Sequence, residues 1–249
     1  MSDPDELIWQ VYDGLPRAAP GSVETAALLL RLVGELPEEP TVLDVGSGPG
    51  AATVPLAQLT GGTVTAVDLH EPLLAEVQRR AAEVGVTERV KTLAASMDAM
   101  PIPAGSVDLL WSEGAAYIIG FDTALATWRP LLADDGVVVV TEAEWMTSEP
   151  AAAVRDYWNA GYPAMRTTAQ NVAAIADAGW TLCATYVLPK ADWATYYGPL
   201  RTRLDDLTRS GVPAESLAPF REEIAMWERH GDEFGYTAYV LRPATVVTQ

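Results

Sequence analysis

The chain is 249 residues long, with 49% hydrophobic and 20% charged residues, a composition that can fill a core and excludes disorder as the main state. Asp and Glu number 34 against 16 Lys and Arg, and the resulting net charge of −18 argues against nucleic acid or an anionic membrane surface as a partner. The single cysteine, Cys183, excludes an internal disulfide and a multi-thiolate zinc site.

The acidic opening Met1-Ser2-Asp3-Pro4-Asp5-Glu6 lacks the basic and apolar regions of a signal peptide. No stretch approaches the roughly 18–20 apolar residues of a bilayer span, so a cytoplasmic location is the expectation. Residues 1–37 read as helical, broken at Gly14-Leu15-Pro16 and restarted after Pro20-Gly21, with Ser22 as N-cap of a helix carrying Ala26, Leu29, Leu30 and Val33 at helical spacing. Strands are predicted at Thr41–Val45, Thr63–Val67, Val90–Ala94, Val107–Trp111 and Val137–Thr141. Between them fall helices at about Glu71–Val84, stopped by Gly85, and at about Thr123–Leu132.

The second half continues with helices near Ala151–Ala160 and Ala169–Ala178 and strands near Leu182–Leu188 and Tyr236–Leu241. A helical stretch from about Asp192 to His230, interrupted at Gly211-Val212-Pro213, is too long for a turn and reads as an inserted cap. Strands alternating with helices at this spacing predict an α/β fold with a largely parallel sheet covered on both faces. One domain, 1–249, is expected, divided into an N-terminal helical segment (1–37), a core (38–145) and a C-terminal half (146–249) with its cap at about 192–231. No aromatic residue occurs between Tyr12 and Trp111, so a substrate pocket is expected from the N-terminal helix and the second half.

Asp44-Val45-Gly46-Ser47-Gly48-Pro49-Gly50 follows a strand and opens a helix, which suits close approach of a ligand to the backbone. Asp68 closes the next strand, where an acid commonly accepts hydrogen bonds from ribose hydroxyls. Gly46, Gly48 and Ala51 also meet the dinucleotide spacing, which keeps a nicotinamide-dependent oxidoreductase open. Asp44 stands against it, because an acid at the end of the first strand suits a ligand with an amino group rather than a pyrophosphate.

The stretches VLDVGSGPG (42–50), VTAVDLH (64–70), SMDAMPIPAGSVDLLWSEG (96–114) and LLADDGVVVVTE (131–142) resemble, in order, the class I S-adenosylmethionine (SAM)-dependent methyltransferases. The closer likeness is to the small-molecule branch with ubiquinone- and menaquinone-type C-methyltransferases, and within it to bacterial proteins carrying the WSEGA-Y-IG signature, here Trp111–Gly120. The resemblance implies a seven-stranded Rossmann-like sheet whose last strand is antiparallel, with SAM as cofactor and a small-molecule methyl acceptor. It further implies that Asp44 and Gly46 hold the methionine end of SAM over a loop shaped by Gly48 and Gly50, with Ser47 also a cofactor-binding residue. Asp68 would bind the ribose and Leu69 the adenine. Ser96-Met97 replaces the family's frequent Asp-Ala, so Asp98 is expected to take the adenine amino group and the Met97 amide to meet the ring. Ser112 would offer its carbonyl to the SAM amino group, and Arg17 is the candidate for its carboxylate.

Glu113, beyond the fourth strand, is the leading candidate for a base or electrostatic group, with Tyr117 four residues on. Glu142 and Glu144 alternate after the fifth strand beside Trp145 and are expected to face the cleft. Tyr157, Trp158, Tyr162, Trp193, Tyr196 and Tyr197 are candidate walls, and acids beside aromatics make an amine acceptor a hypothesis. His70 is expected near adenine or solvent, His230 at a helix C-terminus, and Cys183 as a small buried hydrophobe. No metal-ligand spacing is evident. A SAM-binding module without catalytic activity stays open beside the enzyme readings.

Overall fold

The structure, a computed structural model, describes residues 4–244, so the first three residues of the N-terminal segment lie outside it. Helix α1 (Pro4–Tyr12) and α2 (Val23–Val33) lead into the sheet, and the Ser22 side chain accepts from the Thr25 amide at 3.1 Å, as its N-cap position predicts. Then follow β1 (Thr41–Val45), α3 (Thr53–Thr60), β2 (Thr63–Asp68), α4 (Glu71–Glu83), β3 (Val90–Ala94), β4 (Val107–Ser112), α5 (Phe121–Trp128) and β5 (Leu132–Trp145). The second half contributes α6 (Ala152–Gly161), β6 (Arg166–Thr167), α7 (Thr168–Asp177), β7 (Trp180–Val187), α8 (Lys190–Arg209), α9 (Ala214–His230) and β8 (Phe234–Pro243).

The sheet order is β3-β2-β1-β4-β5-β8-β7, with the two-residue β6 paired to β5 beyond Glu144. Seven strands therefore form the path, as expected, and the short eighth is an addition. The first five pair in parallel, and β8 runs antiparallel to both β5 and β7. Central strands are buried on both faces: Val42, Val137 and Val139 pack towards α2, α3, α4 and the α8–α9 pair, and Leu43, Val138 and Val140 towards α5 and α7. That two-sided burial explains their unbroken apolar runs.

Two expectations fail on this sheet. Cys183 is exposed, because β7 is an edge strand whose outward face meets solvent. Glu142 and Glu144 are buried, at 2% and 0% exposure, rather than facing a cleft. Their alternation does place them on one face of β5, but that face is the one turned to α5 and α7. Glu144 accepts from Thr168 Oγ1 (2.7 Å), Asn171 Nδ2 (2.5 Å) and the Tyr239 hydroxyl, so it ties β5 to α7 and β8. Replacing Asn171 by Ala removes one charge-assisted donor from a fully buried carboxylate, and a stability loss of about 2 kcal/mol is expected in denaturant unfolding.

Among the described residues no helix is long and apolar enough to cross a membrane.

Candidate functional site

Strands β1 and β4 are neighbours whose connections leave in opposite directions, β1 towards β2 and β3, β4 towards β5. Such a reversal opens a crevice at the carboxyl ends of the strands. A cavity of about 540 Å³ lies there, lined by Asp44, Gly46, Ser47 and Gly48 from the first turn, Asp68 and Leu69 from the end of β2, Ser96 and Met97 after β3, and Glu113, Gly114, Ala115 and Tyr117 after β4. Ile8, Trp9, Tyr12, Arg17 and Ala18 close it from the N-terminal segment.

The turn after β1 is held by Gly46 and Ser47 amides donating to the Val67 carbonyl at 2.9 and 3.0 Å. Gly46 has φ +69°, and a Cβ there would collide with the Cβ of Ala115, so the glycine lets the β4 loop cross directly over the turn. Gly50 shapes the turn from behind without touching the cavity. Its missing Cβ faces Val77 of α4, at 3.0 Å from Cγ2, and it packs helix against turn.

Each Asp68 oxygen accepts one backbone amide, Oδ2 from Gly48 at 2.9 Å and Oδ1 from His70 at 3.0 Å. The carboxylate is thereby fixed in orientation with lone pairs left for a ligand. Asp44 is buried, with Thr53 Oγ1 donating to it at 2.5 Å. Burial above all, with the charges of Glu113 and Asp68, pushes its carboxyl up to about 7. The buried Ser47 hydroxyl has no partner among the described residues, a polar group waiting for one from a ligand.

Arg17 and Glu113 form an ion pair, Nη2 to Oε2 at 2.8 Å, with both side chains nearly buried. Arg17 Nε also donates to the Ala19 carbonyl (2.6 Å), and Trp111 Nε1 donates to Glu113 Oε1 (3.0 Å). Burial raises the Glu113 carboxyl, with Arg17 and Trp111 acting in the opposite direction.

Other expected residues land differently. Asp98 is exposed, accepts from Ser96 Oγ at 2.5 Å, and lies outside the lining, because the Ser96 hydroxyl turns it into the loop. Ser112 is fully buried and donates its hydroxyl to the Val45 carbonyl at 2.9 Å, locking β4 to β1. Its side chain is structural, and it lines neither cavity. Met97 lines the cavity while its carbonyl accepts from Trp128 Nε1 at 2.9 Å.

A second cavity of about 590 Å³ adjoins the first and shares Tyr12, Ala18, Ala19, Gly114 and Tyr117 with it. Its walls include the expected Tyr157, Tyr162, Tyr196 and Tyr197, together with Trp158 and Trp193. Trp145 is not among them: it packs half-buried against the core beside Ala143. Glu113 is not among them either, and stays on the side of the first cavity. Residues that sequence reasoning missed are Trp9, which stacks on the His70 ring with centroids 3.8 Å apart, and Tyr12, Tyr236, Glu222 and Glu223 of the second cavity. The aromatic content of the N-terminal helix and of the second half was the visible signal for Trp9, Tyr12 and Tyr236, and none pointed to Glu222 or Glu223. His230 pairs with Glu233 at 2.7 Å at the end of α9, away from both cavities. Among the described residues no cluster of three or more His, Cys, Asp or Glu side chains is arranged to hold a metal ion.

Residues 42–136 match the family model described as a methyltransferase domain. The ubiquinone/menaquinone biosynthesis C-methyltransferase UbiE of Escherichia coli is 28% identical over 122 residues, 48% of this chain and 49% of that protein. The chain thus spans about half the length of the curated relatives it matches. A SAM-dependent methyltransferase from Geobacter sulfurreducens, solved with S-adenosylhomocysteine, superposes with a TM-score of 0.84 at 19% identity, over 98% of this chain and 100% of the other. The corresponding protein from Thiobacillus denitrificans, with the same ligand, gives 0.81 at 20% identity over 95% and 98%. Residues 42–136 are accordingly similar to a methyltransferase domain, and the whole chain shares the fold of these solved structures, as the resemblance implied.

Proposed function

We propose that the chain is a SAM-dependent methyltransferase acting on a small-molecule acceptor, with SAM in the first cavity and the acceptor in the second. The observation that carries the reading is the continuity of the two cavities at Gly114 and Tyr117, which lets a donor in one meet an acceptor in the other. The residues present fit SAM: two fixed acids at the ends of neighbouring strands, a glycine turn against the backbone, and an unpartnered Ser47 hydroxyl.

Asp68 takes the ribose hydroxyls, Leu69 and Met97 flank the adenine, and Asp44 faces the ammonium of the methionine end. Arg17 takes the carboxylate of that end, and Glu113, with Trp111 behind it, is a positioning residue that holds the guanidinium in place. When bound, SAM supplies an electrophilic methyl group: the acceptor's lone pair forms the new bond to carbon as the carbon–sulfur electron pair passes to sulfur. The protein's contribution is alignment and exclusion of water, with Trp9 and Tyr12 covering one cavity and Tyr117 the junction. Because Glu113 is already paired and stands on the cofactor side, its role is electrostatic, and no base at the junction is needed for an acceptor that arrives with a free lone pair.

A nicotinamide cofactor fits less well, since its pyrophosphate would lie beside the buried Asp44 carboxyl, whereas Asp68 suits the ribose of either cofactor. Incubation with methyl-labelled SAM and a small-molecule extract is expected to move label into the low-molecular-weight fraction. Saturable SAM binding with no transfer to any fraction would favour the non-catalytic module.

A further inference from the structure

The second cavity contains a carboxylate with no counter-ion among the described residues. Glu223, on α9, reaches the cavity and accepts the Tyr197 hydroxyl at 2.9 Å on Oε1. Burial raises its carboxyl, and the phenol is the one group that opposes the shift. Basic residues on the same two helices are engaged elsewhere: Arg221 with Asp205 at 2.9 Å, Arg201 with Glu228, Arg203 with Asp13, Arg209 with Asp206, Lys190 with Asp232, His230 with Glu233, and Arg229 with the Ala225 carbonyl. Around the carboxylate stand aromatic rings, most of them tyrosines, and the Tyr197 hydroxyl is its hydrogen-bond donor. Trp193 stacks on Tyr236 with centroids 5.3 Å apart and an angle of 21°, and it lies 5.7 Å from Tyr197, which is itself 4.9 Å from Tyr196. Tyr157 completes the wall.

A half-buried carboxylate without a cation is unfavourable, and the negative quadrupole of an aromatic face repels anions while attracting ammonium groups. The net charge of −18 draws cations towards the molecule as a whole. We infer that the second cavity recognises an acceptor bearing an organic ammonium group, with Glu223 as its counter-ion and the rings of Tyr157, Trp193, Tyr196 and Tyr197 as the surrounding cage. The inference rests on the methyltransferase reading only for calling the occupant an acceptor. It relocates the amine hypothesis from Glu142 and Glu144, which are sealed on the other face of β5, to an acid that lines the cavity.

The test uses the full chain. S-adenosylhomocysteine is titrated first by calorimetry. At saturation, choline is compared with its uncharged isostere 3,3-dimethylbutan-1-ol, and benzylammonium with benzyl alcohol. Each ammonium is expected to bind about tenfold tighter than its neutral partner, and Glu223→Gln is expected to remove most of that preference. Equal affinity within either pair, no saturable binding by either ammonium, or a preference that survives in Glu223→Gln would overturn the inference. The wild-type comparison decides the matter even if the variant folds poorly. Failure of S-adenosylhomocysteine itself to bind would count against the cofactor reading, and it is read in a separate step.

Discussion

Asp68→Ala is expected to weaken S-adenosylhomocysteine binding by about 100-fold or more. A ribose diol offers two hydroxyl donors to one carboxylate, and hydrogen bonds to a charged group contribute roughly 1.5–3 kcal/mol each. Losing both accounts for about two orders of magnitude in Kd. The substitution also removes the acceptor for the Gly48 and His70 amides, which loosens the turn that shapes the cavity. Asp68→Asn separates the two effects: its amide oxygen can still take one amide, so the turn is partly kept while the charge is lost. An intermediate loss is expected for it. Calorimetric titration, with circular dichroism as the check on folding, reads both variants. A change of less than about threefold in Asp68→Ala would remove Asp68 from the cofactor site.

The second large effect is a pH dependence centred on Asp44, whose carboxyl burial pushes up to about 7. If the ionised form receives the ammonium of the methionine end, affinity for S-adenosylhomocysteine falls as pH drops below about 7, approaching tenfold per pH unit. Asp44→Asn should bind more weakly and lose this dependence. Folding stability has the opposite sign. A carboxyl whose folded value lies above its unfolded value contributes stability that is complete below about 4 and lost as pH rises through about 7. The ligand-free protein is therefore expected to lose on the order of a few kcal/mol across that window, and Asp44→Asn should flatten much of the fall. Glu142 is also buried, and burial, opposed by the neighbouring Tyr162 hydroxyl, pushes it to about 7 as well, so a residual slope of the same sign should remain. A melting temperature that rises between pH 4 and 7 in wild type and is unaffected by Asp44→Asn would contradict this assignment.

Much of the cofactor half was legible because its signals are local. Thr41–Val45 and Val90–Ala94 form the predicted strands, and the turn between β1 and α3 carries its glycines where the backbone needs them. The longer course of β5, Leu132–Trp145 against the expected Val137–Thr141, was hidden by Asp134, Asp135, Glu142 and Glu144. Acids read as strand ends unless their partners are known, and those of Glu144 come from α7 and β8, well away in sequence. Alternation likewise tells which residues share a face but not which face meets the cavity. That is why Glu142 and Glu144 were placed together correctly and on the wrong side. Cys183 failed for a related reason: an apolar pattern does not say that a strand is at the edge. Glu223 could not be singled out at all, since what gives it meaning is Tyr197 on another helix, and helix-to-helix register is a tertiary property.

The aromatic asymmetry was the exception among the long-range signals. With no aromatic residue between Tyr12 and Trp111, the expected pocket fell to the two ends of the chain, and the second cavity is walled from both. Tyr12 and Trp9 also bring α1 over the first cavity, and Tyr12 lines both cavities.

The most direct measurement is a calorimetric titration of the purified chain with SAM and S-adenosylhomocysteine, with NADH as the competing ligand. Saturable binding of both sulfur ligands, together with no heat from NADH, is the predicted result. Saturable NADH binding with neither SAM nor S-adenosylhomocysteine bound would contradict the account and assign the β1 turn to a dinucleotide.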